Sequence, residues 1–224
     1  MEKFSYDNVP CFFVDDLFAR EFPDQKLPLG NYTKPWMECF QTSLSAMQIL
    51  FKANSKQKQN WYKTAQKVKL PGRLDLRHNV FWSKYKKNFK TLLTDGGHNK
   101  DALLALSEFI SSNNLSPCTL ILGMASDKLH ETLRIPLKKL CEKADLIILT
   151  SVHSPRSATT ELLESFLNNS GALGHSPKIK LTASVEDALE MSLSTPETPV
   201  IAAGSFYLVG MVMHLLGINT DSTN

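Results

Sequence analysis

Cysteine is scarce and badly spaced for structural chemistry: Cys11, Cys39, Cys118 and Cys141 are the only four in 224 residues. That is too few and too scattered for a disulfide framework, and no two stand in the close pairs that zinc sites need. We read them as reduced thiols of an intracellular protein. Three catalytic or nucleotide signatures are also missing. The sequence has no Gly-x-x-x-x-Gly-Lys-Ser/Thr phosphate loop, no Gly-x-Gly-x-x-Gly turn and no Gly-x-Ser-x-Gly elbow. The opening Met-Glu-Lys-Phe-Ser-Tyr-Asp carries early acid and no apolar core, so it does not read as a signal or transit peptide. Long apolar runs are few. Val200 to Ile218 is nineteen residues without a formal charge, but Gly204-Ser205 interrupts it, His214 and Gly217 suit lipid poorly, and no basic flank follows. No membrane span is expected, and the expected location is the cytoplasm.

What is present describes a globular chain. With 42% hydrophobic and 21% charged residues, and only 10 Gly and 11 Pro, the composition is neither disordered, collagenous nor coiled coil. Net charge is +3, yet twelve lysines and arginines lie between Lys52 and Lys90 against the single acid Asp75. Trp61, Tyr62, Phe81, Trp82 and Tyr85 interleave with them. Such a block suits three roles: a solvated linker followed by a lysine-rich hairpin, a grip on nucleic acid, or attraction of an anionic small molecule. No nucleic-acid motif frames the lysines, so nucleic acid is not the expected partner.

From residue 91 onward apolar runs alternate with amphipathic stretches. The runs are Thr91 to Thr94, Cys118 to Leu122, Asp145 to Thr150, Lys178 to Leu181 and Pro199 to Ala203; the fourth contains Lys180 and is placed at an edge. Between them, Lys100 to Ser112, Lys128 to Lys143, Ala158 to Asn168 and Val185 to Ser192 have helical spacing, and Ser205 to Leu216 closes the series. Strand alternating with helix predicts an α/β fold: a doubly wound, mostly parallel, Rossmann-like sheet with helices on both faces. The preceding residues are less regular. Phe4 to Phe22 is aromatic and acidic, Leu27 to Tyr32 reads as a turn, and Trp36 to Lys52 reads as a helix followed by a basic linker. This divides the chain into 1–70, an α/β domain at 71–218 and a tail at 219–224.

In an open parallel sheet, ligands bind beyond the carboxyl ends of the strands. The loops there read Asp95-Gly96-Gly97-His98-Asn99, Gly123 to Lys128, Ser151 to Arg156, and Gly204-Ser205. Together they offer carboxylates, imidazoles, cations, hydroxyls and helix N-termini, a setting for an anionic nucleotide or carboxylate. Asp95 and Ser205 equally suit plain helix caps.

Taken in order, Pro71-Gly72-Arg73, Leu93-Thr94-Asp95-Gly96-Gly97-His98-Asn99, Gly123 with Asp127-Lys128, Ser154-Pro155-Arg156 and Ala203 to Gly210 resemble five motifs of one family. That family is the C-terminal domain of folylpolyglutamate synthase and dihydrofolate synthase, in the Mur ligase superfamily. The resemblance implies an ATP-dependent ligase that joins L-glutamate to a folate carboxylate through an acyl phosphate, with Mg²⁺ at the phosphates. Carried to matching positions, it implies that Arg73 and Asp95 bind ATP, the first at phosphate and the second at a sugar hydroxyl or nearby polar group. It also implies that His98 and Ser205 hold glutamate or the reacting centre. The sequence departs from the pattern in places: Lys100 follows Asn99 where the family has Pro, Gly97 replaces Ala, and Lys84 to Lys90 lengthens the interval from Arg73 to Asp95. The family's phosphate loop and metal ligands belong to an N-terminal ATPase domain, of which only the final helix, Trp36 to Lys52, is recognisable. The expectation is therefore the C-terminal portion of a ligase, incomplete alone, from a truncated gene, an isoform or a split enzyme, with a separate ATPase-domain polypeptide as one candidate partner. The alternatives are a non-catalytic nucleotide- or folate-binding module and a nucleic-acid-binding protein working through the basic block.

Overall fold

The computed structural model describes residues 4–6, 9–11, 14–23, 34–65, 67, 70–152, 154–171, 173, 177–195 and 197–218. The turn expected at Leu27 to Tyr32, the tail and His153 lie outside them. The chain forms two compact units, residues 1–68 and 69–224.

In the first unit, β1 (Phe4–Tyr6) pairs antiparallel with β2 (Val9–Cys11), and α1 (Val14–Glu21), α2 (Lys34–Phe51) and α3 (Ser55–Ala65) follow. Phe18, Phe22, Phe40, Leu44 and Tyr62 make a small core of their own. The basic linker expected after α2 is in part a helix. Asn54 and Gln57 exchange side-chain and backbone hydrogen bonds, both at 3.0 Å, a reciprocal box that satisfies the first free N–H groups of α3.

The second unit is a six-stranded sheet in the order β3 (Asp75–Trp82), β4 (Lys87–Asp95), β8 (Val200–Ala203), β5 (Cys118–Leu122), β6 (Ala144–Thr150) and β7 (Lys178–Thr182). β3 runs antiparallel to β4, and the other neighbours are parallel. β7, with its two lysines, is an edge strand. Helices α4 (Lys100–Ser112), α5 (Arg134–Cys141) and α6 (Thr160–Asn169) cover one face; α7 (Val185–Ser192) and α8 (Phe206–Leu215) cover the other.

Strand side chains alternate between two cores, as the pleat requires. Leu93, Leu120, Leu122, Ile147, Leu149, Ile201 and Ala203 join the α4–α6 core; Leu92, Ile121, Ile148, Val200 and Ala202 join the α7–α8 core. Both faces are covered, so the central strands carry no charge inside. The single helix expected over Lys128 to Lys143 is instead two short 3-10 turns, Ser126–Lys128 and Glu131–Leu133, before α5. Pro136 lacks an N–H and is accommodated only within the first turn of a helix, so α5 begins beside it.

The lysine-rich insertion is the β3–β4 hairpin. Trp82 and Phe89 plant it in the α7–α8 core, stacked at 6.1 Å between ring centroids. Lys84 pairs with Glu186, Tyr85 donates to Glu190 at 3.0 Å, and Lys90 pairs with Glu197.

Candidate functional site

Because α4 lies on one face and α8 on the other, the loops leaving β4 and β8, which are neighbours, diverge to opposite sides of the sheet. Such a divergence opens a crevice at the carboxyl edge. At this edge the 71–74 junction, the Asp95–Asn99 loop and the start of α8 meet.

Asp95 ends β4 and is buried. Its Oδ2 accepts the Leu74 N–H at 2.8 Å and its Oδ1 accepts the Gly97 N–H at 2.7 Å. Gly96 N–H donates to the Gly72 carbonyl, also at 2.8 Å. The junction is therefore laced to the strand end by three bonds. Burial pushes the Asp95 carboxyl above the ordinary Asp range, opposed by the two N–H donors and by Arg73 and His98. Each carboxylate oxygen thus accepts one backbone N–H within the protein.

Arg73, exposed beside this clamp, carries its guanidinium over the ring of Phe206, 4.4 Å from the centroid. It forms no ion pair among the described residues. His98 is half-buried, and its Nδ1 lies 3.0 Å from the Gly96 carbonyl. A carbonyl only accepts, which assigns a proton to Nδ1 and leaves Nε2 as the acceptor of the neutral ring. The His98 ring meets Phe206 edge-on at 6.5 Å. Asn99 caps α4 by accepting the Ala102 N–H at 2.9 Å.

Ser205 is buried and caps α8, its Oγ accepting the Leu208 N–H at 3.1 Å. Before it, Gly204 has φ +110, and a Cβ there would lie 2.8 Å from the Gly123 carbonyl oxygen. Only glycine fits this crossing of the β8 and β5 ends.

The remaining loops close on each other. Ser126 N–H donates to the Arg156 carbonyl at 2.8 Å, Ala158 N–H to the Met124 carbonyl at 2.8 Å, and Arg156 Nη2 to Asp127 Oδ2 at 2.6 Å. The ion pair holds Asp127 below the usual carboxylate range and raises Arg156. Lys128 is 3.9 Å from the same carboxylate.

The structure thus brings Arg73, Asp95 and His98 together around Phe206, with Ser205 beneath as a cap. Phe206 and Tyr207 were not singled out from sequence as ligand-side groups. The signal available in sequence was the adjacent aromatic pair Phe206-Tyr207 directly after the Gly204-Ser205 turn. Among the described residues no group of three or more His, Cys, Asp or Glu could hold a metal ion. Nor is any described helix long and apolar enough to cross a membrane.

Residues 77–215 match the family model of the dihydrofolate synthetase C-terminal domain. The chain is similar in fold to folylpolyglutamate synthase of Mycobacterium tuberculosis complexed with ADP and AMPPCP, with TM-score 0.69 and 19% identity, covering 88% of this chain and 42% of that one. It is similar to E. coli FolC in complex with DHPP and ADP, with TM-score 0.65 and 21% identity over 86% and 41%. It is also similar to the bifunctional folylpolyglutamate synthase/dihydrofolate synthase of Yersinia pestis complexed with AMPPNP and Mn, with TM-score 0.64 and 22% identity over 86% and 41%. The chain spans about two fifths of the length of these solved structures. No curated protein matches it in sequence.

Proposed function

Because this chain belongs to the family of dihydrofolate synthetase C-terminal domains, we propose that it is the C-terminal portion of an ATP-dependent ligase joining L-glutamate to a folate. The observation that carries the nucleotide part is Arg73: an exposed guanidinium at the carboxyl edge of the sheet, with no acid bound to it among the described residues, beside a loop fixed by Asp95. Bound ATP would supply the phosphoryl group that activates the folate carboxylate. Arg73 would meet phosphate oxygens as a planar, permanently charged donor. Asp95 acts from within, holding Leu74 and Gly97 N–H groups and so the distance between Arg73 and His98. His98 Nε2 faces the task of holding glutamate or the reacting centre, while Ser205 keeps the start of α8 in place.

No step is assigned to Mg²⁺ on these residues. Its ligands and the phosphate loop are proposed to come from an ATPase-domain polypeptide, since the phosphate-loop pattern does not occur in this sequence. Turnover would then require the two parts to close over a water-labile intermediate. The same edge working by itself would bind nucleotide without turnover, the reading that the missing phosphate loop favours for this chain in isolation.

The experiment is Mg-ATP- and folate-dependent incorporation of labelled glutamate by the purified chain. No product is expected from the chain alone, and nucleotide binding sensitive to Arg73→Ala is expected. Product formed by the chain alone would overturn the dependence on a second polypeptide.

A further inference from the structure

Phe206 is 43% exposed, yet it is held from several sides. A Cβ placed on Gly96 would fall 2.5–2.7 Å from three atoms of its ring, so the ring lies directly on the Gly96 backbone. Gly96 in turn donates to Gly72, the residue before Arg73. The Arg73 guanidinium sits over the ring, and His98 meets it edge-on. A second arginine, Arg156, stands near Tyr207, the next residue of α8. The two arginines differ in one respect that matters. Arg156 is neutralised by Asp127 at 2.6 Å, whereas no side-chain donor of Arg73 has a hydrogen-bond partner among the described residues.

A cation over a ring face is attracted by the quadrupole without surrendering its N–H donors to an acceptor. The contact restrains a long, rotamer-rich side chain and leaves the donors for an anion; an ion pair would have consumed them. We propose that Phe206 is the positioning residue for Arg73, holding its guanidinium at the end of β4 so that affinity for a polyphosphate depends on an aromatic ring at position 206. This rests on the reading that Arg73 meets the phosphates of ATP.

The test uses the full chain with Phe206→Leu, Phe206→Trp, Arg73→Ala and the double variant Phe206→Leu/Arg73→Ala. Without ligand, NMR reads the Arg73 side chain, whose Nε–H signal is expected to be displaced by the ring current in wild type and Phe206→Trp and to lose that displacement in Phe206→Leu. Titration with Mg-ATP and with inorganic tripolyphosphate is expected to show affinity lowered about tenfold by Phe206→Leu and restored by Phe206→Trp. Phe206→Leu is expected to add nothing once Arg73 is Ala. Wild-type affinity in Phe206→Leu, an equal loss in Phe206→Trp, or a loss that persists without Arg73 would overturn the proposal. Failure of the wild type to bind either probe would overturn the nucleotide reading and the ligand role together. The ligand-free Arg73 signal separates that failure from an absent Arg73–Phe206 contact.

Discussion

The Asp95 carboxylate accepts the backbone N–H of Leu74, a residue 21 positions earlier, at 2.8 Å, and this bond joins the junction carrying Arg73 to the end of β4. A second bond, from Gly97, occupies the other oxygen. Asp95→Ala would leave two buried N–H groups without their acceptor, a loss of about 1–3 kcal/mol. Urea unfolding of Asp95→Ala beside Ile148→Ala, a core truncation expected to cost about 2–5 kcal/mol, checks the scale. Nucleotide affinity should fall in Asp95→Ala and persist in whatever Ile148→Ala remains folded.

The same carboxylate makes a pH prediction opposite to the usual one for Asp. Burial, the largest influence, raises its pKa in the folded protein above the ordinary 3.8, so the folded state holds the proton more readily than the unfolded chain. Stability from this group is therefore greatest below the unfolded value and declines as pH rises through the folded one. Wild type should gain stability relative to Asp95→Asn as pH falls through the raised folded value, read as the wild-type denaturant midpoint minus that of the variant. A fall in that difference as pH drops would show that the N–H bonds outweigh burial.

Gly204→Ala and Gly210→Ala should part company. At Gly204 the backbone is left-handed, and a Cβ would strike the Gly123 carbonyl oxygen at 2.8 Å, so a loss of about 1–3 kcal/mol is expected. At Gly210, inside α8, a Cβ meets nothing within 4 Å. There alanine should stabilise by about 0.4–1 kcal/mol through the unfolded chain and helix propensity. Denaturant midpoints of the two variants check both signs.

The central strands were legible because burial on two faces leaves a charge-free run, as in Leu120, Ile121 and Leu122. Their edge partner β3 was harder to see. His78, Asn79 and Phe81 are exposed along it, Asn79 is left-handed at φ +54, and a half-solvated strand of mixed composition has no clean period. Helix α3 was hidden by its lysines, although the Asn54–Gln57 box that starts it is local and readable. At the site, the motif residues Arg73, Asp95 and His98 were named from sequence, but the ring that joins them was not. Phe206 and Gly96 meet only because β4 and β8 are neighbours, a pairing between residues more than a hundred positions apart.

Two thiols should be inert in the native state. Burial pushes Cys118 and Cys141 up to about 12, leaving almost no thiolate at neutral pH, whereas Cys39 is exposed. Peptide mapping after brief alkylation should find Cys39 modified and Cys118 and Cys141 unmodified until denaturant is added. Rapid native labelling of Cys118 would contradict the packing of the α4–α6 core.

The lysines of the β3–β4 hairpin should matter to the scaffold and not to the ligand. Lys84 and Lys90 face Glu186 and Glu197, at the α7 side of the unit. Replacing Lys84, Lys86, Lys87 and Lys90 with Gln should leave Mg-ATP affinity unchanged and shift the denaturant midpoint slightly, the shift fading at high salt. A large loss of nucleotide affinity would place the hairpin in the site.

The most direct test of the account is titration of the isotope-labelled chain with Mg-ATP while backbone and arginine side-chain resonances are followed. The account predicts saturable changes clustered at Arg73, Leu74, Gly96, Gly97, His98 and Phe206, shifted to much higher Mg-ATP concentration by Arg73→Ala. Changes confined to the lysines of α3, or none at the β4 edge, would contradict it.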